Sequence, residues 1–348
     1  MTMTKTFCWL GIIASSLIGC ARDKKAVEEK PAASAQAVES SGTRAASSAA
    51  TPSLENNRAV RAEMRNVMFR LNDHAAAHLE FVAGELVPAG KHEMPVFDDK
   101  TSFEMRVKDG KISISAEVLA SVLNDYVFAG SDAPLKNLSV SIENDLLHVR
   151  GKLHSKGDIP FETAGTLSVN PDGRIRVNTE KVKALHVPVK GVMRIFGMEL
   201  ASLLNTSKIQ GIEVDKNDLI VDLTTLLPPP HLEGKISDVK IEGNRIVTYF
   251  GAGGKSAPTI KEKSNYILLQ GHAVRFGKLT MEDTELVILD MNPEDPLDWY
   301  QDHYQEQLAA GYTKITTAYG LRSYVKDYGR LHLTGRAGGG AAASASKN

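Results

Sequence analysis

The chain is 348 residues long, 42% apolar and 24% charged, with 28 glycines and 14 prolines, a globular composition that excludes a wholly disordered acidic polymer. Its 41 Lys and Arg against 42 Asp and Glu leave a net charge of −1, without the basic excess a nucleic-acid binder needs to neutralise phosphates. Both cysteines, Cys8 and Cys20, fall within the first twenty residues, so the body of the chain has no thiol for a metal site, a nucleophile or a disulfide.

The N-terminus has the layout of a secretory signal. Lys5 precedes a short apolar run that ends in small residues, and the run is too short to span a bilayer, which takes ~20 apolar residues. Leu17-Ile18-Gly19-Cys20 resembles the lipobox of bacterial lipoproteins. The resemblance implies removal of residues 1–19, diacylation of the Cys20 thiol and acylation of its amine. A thiolate is the nucleophile this attachment requires. Several chains are needed because a single one anchors only marginally, at ~0.8 kcal/mol per buried CH₂. Ala21, rather than Asp, follows the cysteine, which implies the outer membrane, facing the periplasm.

Residues 20–60 read as a disordered tether: 21–57 hold ten alanines, six serines and no aromatic residue. Strands are expected at 78–86, 102–107 and 111–115. An amphipathic helix follows over 116–128, with Val118, Leu119, Val122, Leu123, Tyr126 and Val127 on one face. Alternation marks strands at 138–142 and 147–150. A hairpin follows through 166–177, with its turn at Asn170-Pro171-Asp172-Gly173, where proline sets φ and glycine supplies φ > 0. A second helix is expected over 189–204, its stripe widened by Ile195 and Met198. A second hairpin spans 239–250, turning at Gly243-Asn244. Later strands are expected at 266–270, 272–276 and 286–289. A third helix is expected to begin at Asp295, an N-cap followed by Pro296 at the first helical position. Residues 336–348 are a low-complexity tail.

Between 135 and 250 the order of these phrases is Leu138–Ile142, Leu147–Gly151, Ile159–Phe161, Leu167–Ile175, Val187-Pro188-Val189, the 193–204 helix, Leu226-Leu227-Pro228-Pro229-Pro230 and Gly234–Ile241. This run resembles the LmeA-like phospholipid-binding domain and, more distantly, tubular lipid-binding and AsmA-like proteins. The resemblance covers about a third of the chain. It implies an α+β fold in which a strongly curved antiparallel β-sheet wraps amphipathic helices around an acyl-chain cavity. On this reading residues 61–258 form the lipid-binding domain, and 259–335 are a C-terminal β/α extension outside the resemblance. The expected acyl-chain lining is Val192, Met193, Phe196, Met198, Leu200 and Leu203, with Lys183, Lys190 and Arg194 toward a phosphate headgroup. A methionine-bearing stripe suits irregular apolar ligands, and each buried methylene contributes ~0.8 kcal/mol.

Chemical motifs are few. Gly251-Ala252-Gly253-Gly254-Lys255-Ser256 lacks the first glycine of a phosphate loop, Tyr249 standing in its place, and Pro258 blocks the helix that should follow. No Gly-x-Ser-x-Gly elbow and no His-Glu-x-x-His pair occurs. Asp290, Glu294, Asp295, Asp298, Asp302, His303 and Glu306 cluster without the spacing of a calcium loop. The expectation is therefore a non-enzymatic envelope lipoprotein without cofactor or resident metal, held to the membrane through Cys20, that binds or carries phospholipid-like molecules. The alternative is an envelope scaffold or assembly lipoprotein whose 264–330 block docks a protein partner.

Overall fold

A computed structural model describes residues 58–70, 72–154, 157–179, 183–184, 209–227, 229–260, 264–318 and 320–331, with the side chains of 183 and 184 excepted. In chain order the elements begin with β1 (Val60–Arg70), β2 (Ala76–Pro88), β3 (Phe103–Ser115) and α1 (Ala116–Val122), which continues into a π-helical turn over Leu123–Val127. Next come β4 (Leu135–Glu143), β5 (Leu146–Leu153), β6 (Ile159–Val169), β7 (Ile175–Thr179), β8 (Lys183–Ala184), β9 (Ile212–Asp215), β10 (Asp218–Val221) and a single turn, α2 (Leu223–Leu226). The remainder is β11 (His231–Glu233), β12 (Ile236–Glu242), β13 (Arg245–Phe250), β14 (Tyr266–Phe276), β15 (Leu279–Asp290), β16 (Leu297–Tyr300), α3 (Tyr304–Ala309), β17 (Tyr312–Ile315) and β18 (Leu321–Val325). Strands hold 55% of the described residues and helices 13%.

These strands form two sheets, neither of them closed. The first runs β12-β13-β3-β2-β1-β14-β15-β18-β17, with β11 beside β3 and β16 beside β1. It is mixed, since β11–β3, β16–β1 and β15–β18 are parallel. The second is antiparallel, in the order β4-β5-β6-β7-β10-β9, with β8 beside β6. Residues on both sides of position 258 share the first sheet, because β14 pairs with β1 from Val60↔Gly271 to Arg65↔Tyr266.

Both hairpins form at their expected turns. Gly173 and Gly243 carry φ of 89° and 60°, and Glu242 pairs with Arg245 across the two-residue Gly243-Asn244 loop. Three expectations need correction. Residues 102–107 and 111–115 are one strand: β3 continues through Asp109-Gly110, with one extra residue in β2 (Glu80, between Leu79 and Phe81) and one in β3 (Lys108, opposite the Ala83/Gly84 step) taking up the irregularity. Residues 266–276 are likewise one strand. The helix expected from Asp295 is instead strand β16, paired with β1 from Val67↔Leu297 to Arg70↔Tyr300. Leu297, Trp299 and Tyr300 are buried there, and that burial outweighs the local cap signal. Helix α3 starts only at Tyr304, after a 3₁₀ turn at Gln301–His303.

β1 changes partner part-way along. Up to Arg65 it pairs with β14, and from Val67 onward with β16. Asn66, with φ of 49°, is the switch residue. Asn tolerates this left-handed backbone better than most residues. Its amide is engaged at both ends: Oδ1 meets His78 Nε2 at 2.8 Å, and Nδ2 donates to Asn265 Oδ1 at 2.8 Å. Asn265 then donates to Asp290 Oδ2 at 2.8 Å.

One core spans both sheets. From the first sheet come Val60, Val67, Leu79, Leu86, Ile246, Phe250, Ile267 and Ile288, and from the second Val140, Leu147 and Ile175. An aromatic group closes one end: Phe97 stacks on Phe276 at 4.0 Å, and Tyr304 meets Phe276 edge-on at 5.4 Å.

Candidate functional site

The residues read from sequence as a lipid site fall where the structure gives no side chains. Cys20, Lys190, Val192, Met193, Arg194, Phe196, Met198, Leu200 and Leu203 all lie outside the described residues, as does the helix expected over 189–204. Lys183 is placed by its backbone alone, in β8 opposite Glu162 of β6. What surrounds this stretch in sequence is clear: β8 precedes it and β9 follows it, and both belong to the second sheet.

That sheet has two unlike faces, because successive strand residues point to opposite sides. One face carries Val140↔Val149, Ile142↔Leu147, Leu167↔Val177 with Leu219, and Val169↔Ile175 with Val221. The other carries ion pairs, including Arg150–Glu162 at 3.0 Å and Arg176–Asp218 at 2.6 Å. The apolar face is used in two ways. Part of it joins the common core. The rest forms a second cluster of Phe128, Leu138, Leu153, Phe161 and Ile212. Around that cluster lie Val127, Leu135, Ile159, Val214, Leu219 and Leu226, all only half-buried. Gly151 keeps the cluster tight, since a Cβ there would stand 2.5 Å from Leu138 Cδ2 and 3.2 Å from Phe161 Cε1.

Asn124 joins this face to the π-helical turn. Its Nδ2 donates to the Ala120 and Leu138 carbonyls, both at 2.8 Å, and its Oδ1 accepts from the Leu138 N–H at 2.9 Å. The amide thus serves as a strand partner where β4 shifts register between Lys136 and Ser139. Asn124→Ala is expected to cost about 2 kcal/mol, from several hydrogen bonds worth ~1 kcal/mol each. Urea unfolding measures it, and a loss under about 0.5 kcal/mol would contradict the assignment.

The glycine-rich loop after β13 does hold an anion, but it is the chain's own. Gly254 and Ser256 donate their backbone N–H groups to Asp109, at 2.7 and 2.9 Å. Burial pushes the Asp109 carboxyl up, but these bonds outweigh it and hold it below the usual carboxylate range. Further along, Thr259 donates through its N–H at 2.8 Å and its hydroxyl at 2.5 Å to Glu63, which is buried in β1. Tyr266 donates its hydroxyl to the same carboxylate. Residues 251–260 are therefore a strap, fixed to β3 and β1 by two buried carboxylates.

The acidic cluster is likewise dispersed among separate partners. Asp298 takes Arg70, Asp302 takes Lys100, Glu306 takes His303, and Asp295 takes Arg330. Among the described residues no three His, Asp or Glu side chains are gathered as metal ligands, and no helix is long and apolar enough to cross a membrane.

Among the described residues, Asp327 is the acid held furthest from its ordinary range. Burial pushes it up to about 6, Asp290 and Asp295 add repulsion, and the Asp298 N–H and Arg330 oppose them. The folded state therefore holds this proton more tightly than the unfolded chain, whose aspartates titrate near ~3.9. Its contribution to stability falls as pH rises from about 4 to about 6 and stays lost above that. Asp327→Asn is expected to be more stable than wild type at pH 7.5 by about 1 kcal/mol, once the shift is discounted for the exposed Arg330 side. The advantage should vanish near pH 4. Urea midpoints at the two pH values test this, and a variant less stable at pH 7.5 would refute it.

Set against protein-family models, curated proteins and solved structures, the chain matches none.

Proposed function

We propose that the protein is a lipoprotein of the bacterial envelope, anchored through Cys20, whose second sheet helps to enclose the acyl chains of a phospholipid-like ligand. The observation that carries this reading is the apolar cluster around Phe161 and Leu153, bordered by half-buried Val214, Leu219 and Leu226. It is apolar surface beyond the common core, on the sheet that flanks the methionine-bearing stripe at 192–203 in sequence. The resemblance of 135–250 to LmeA-like domains supports the same reading, and with it a curved sheet wrapped around helices. Binding needs no chemistry, only transfer of methylenes out of water at ~0.8 kcal/mol each.

The test uses the mature chain, residues 20–348, with Cys20→Ser behind a cleavable secretion signal, so that neither anchor nor signal contributes lipid. The protein is expressed in a bacterial periplasm, extracted with organic solvent and analysed by mass spectrometry. Near-equimolar phospholipid, lost in a folded Val214→Glu/Leu219→Glu variant, is the expected result. A folded protein that emerges empty and takes up no fluorescent phospholipid overturns the reading.

A second reading, a scaffold that docks a protein, draws on the edge strand β17. All four of its residues are exposed, Ile315 at 73% and Tyr312 at 47%. Such an edge offers unpaired backbone groups and apolar side chains together.

A further inference from the structure

The first sheet carries a crevice of about 240 Å³ on its outer face, where the ends of β1, β2, β3 and β13 meet. Register places it opposite the core: Met68 pairs with His78 and Arg70 with Ala76, one residue out of step with the buried pair Val67↔Leu79. Met68, Arg70, Ala76, Ser115 and Arg245 form its strand walls. Asp73, His74 and Ala75 of the β1–β2 turn and Val118 of α1 complete it, Asp73 bringing one carboxylate whose field reaches Arg70.

The two arginines are held differently. Arg70 is fixed: Nε and Nη2 donate to the two Asp298 oxygens at 2.6 and 2.8 Å, and the guanidinium lies 5.4 Å from the Tyr328 ring centre. These bonds leave its Nη1 donors unassigned. Arg245 is exposed, and its hydrogen bond is to Ser113 Oγ, at 3.2 Å. Among the described residues no carboxylate lies within 4.0 Å of it. Its field reaches one row further in, where burial first and Arg245 second hold the His78 imidazole below its ordinary value. A guanidinium fixed by Asp298 and one without a carboxylate partner, both lining the crevice, present the planar N–H donors that take phosphate oxygens. The volume is below the ~300 Å³ of typical drug-sized pockets, so it admits a headgroup and excludes a whole lipid.

We propose that this crevice binds the phosphate group of a small phosphorylated molecule or of a lipid headgroup. It lies on the first sheet, so it stands or falls independently of the acyl-binding face on the second. The test is calorimetric titration of the mature chain, residues 20–348 with Cys20→Ser, with glycerol 3-phosphate, and co-sedimentation with vesicles of phosphatidylglycerol or of phosphatidylcholine. Three variants accompany it. Arg245→Gln removes the unpaired cation, Ala76→Phe fills the crevice without changing charge, and Lys278→Gln removes an exposed cation elsewhere.

The expected result is saturable binding that weakens at least tenfold in both crevice variants and less than twofold in Lys278→Gln. Binding of glycerol 3-phosphate with this pattern assigns a soluble phosphorylated ligand. Binding confined to phosphatidylglycerol vesicles with the same pattern assigns a headgroup. No binding to either probe, or equal weakening by Lys278→Gln, overturns the proposal and leaves only general electrostatic attraction.

Discussion

Trp299→Ala is expected to cost about 3–5 kcal/mol, the usual range for removing a fully buried aromatic side chain. Trp299 is 1% exposed in β16, paired with Phe69 of β1, and it packs beside Tyr304 at the edge of the Phe97–Phe276 stack. Deletion leaves a cavity where β1, β16 and α3 meet, and a close-packed core collapses only partly into such a space. For a domain of this size the melting temperature should fall by about 8–15 °C. Trp299→Phe should recover more than half of that loss. Thermal unfolding followed by circular dichroism measures it, and a drop below about 3 °C would show that the site is looser than its burial implies.

Glu63→Ala is expected to cost about 3 kcal/mol and to open the strap. Glu63 is 1% exposed and accepts from the Thr259 N–H, the Thr259 hydroxyl and the Tyr266 hydroxyl, with Arg61 at 3.2 Å. Its removal strands the hydroxyl of Tyr266, a residue with no exposure, as well as the strap's amide, and unpaired buried donors cost more than a typical bond contributes. Glu63→Gln keeps one acceptor oxygen and should cost about half as much. Lys255 sits between Gly254 and Ser256, the two residues held by Asp109, and ahead of the Glu63-held Thr259, so limited trypsin digestion under native conditions reads whether loss of the Glu63 anchor loosens the whole strap. Cleavage at Lys255 should accelerate at least tenfold in Glu63→Ala. An unchanged rate would mean that Asp109 alone holds the strap.

The parts of this fold that sequence reveals are the local ones. Asn170–Gly173 and Gly243-Asn244 announce their hairpins because turn chemistry acts within four residues. The helix at 116–127 follows from its own spacing, with Ser115 accepting from the Val118 N–H. Parts decided at long range are hidden. Asp295-Pro296 is a sound helix start, yet the segment after it becomes a strand because β1 offers parallel pairing and burial. β1 carries no clear alternation, because the switch at Asn66 offsets Val60, Ala62 and Met64 from Val67 by one residue. The break expected between 107 and 111 does not occur, and the Asp109 carboxylate in it has a task visible only once the 251–260 strap is folded across β3. The arginine crevice collects one or two residues from each of four strands, so no window of sequence contains it. The lipid-site residues expected around 192–203 retain their pattern as the argument for them, joined now by the apolar half of the second sheet.

The position of β1 also sets a timetable. It is the first strand made among the described residues, and it lies in the interior of the first sheet with β2 on one side and β14 on the other. β2 follows within a few residues, but Val60 waits for Gly271, and at about 5–20 residues per second that interval is roughly 10–40 s. Throughout it the edge of β1 stays open, its backbone donors and acceptors unpaired and Val60, Ala62 and Met64 without cover on that side. A nascent chain in this condition is an aggregation template. The central seam of the sheet thus cannot close until residue 271 is made, and the β1–β16 and β15–β18 pairings follow it.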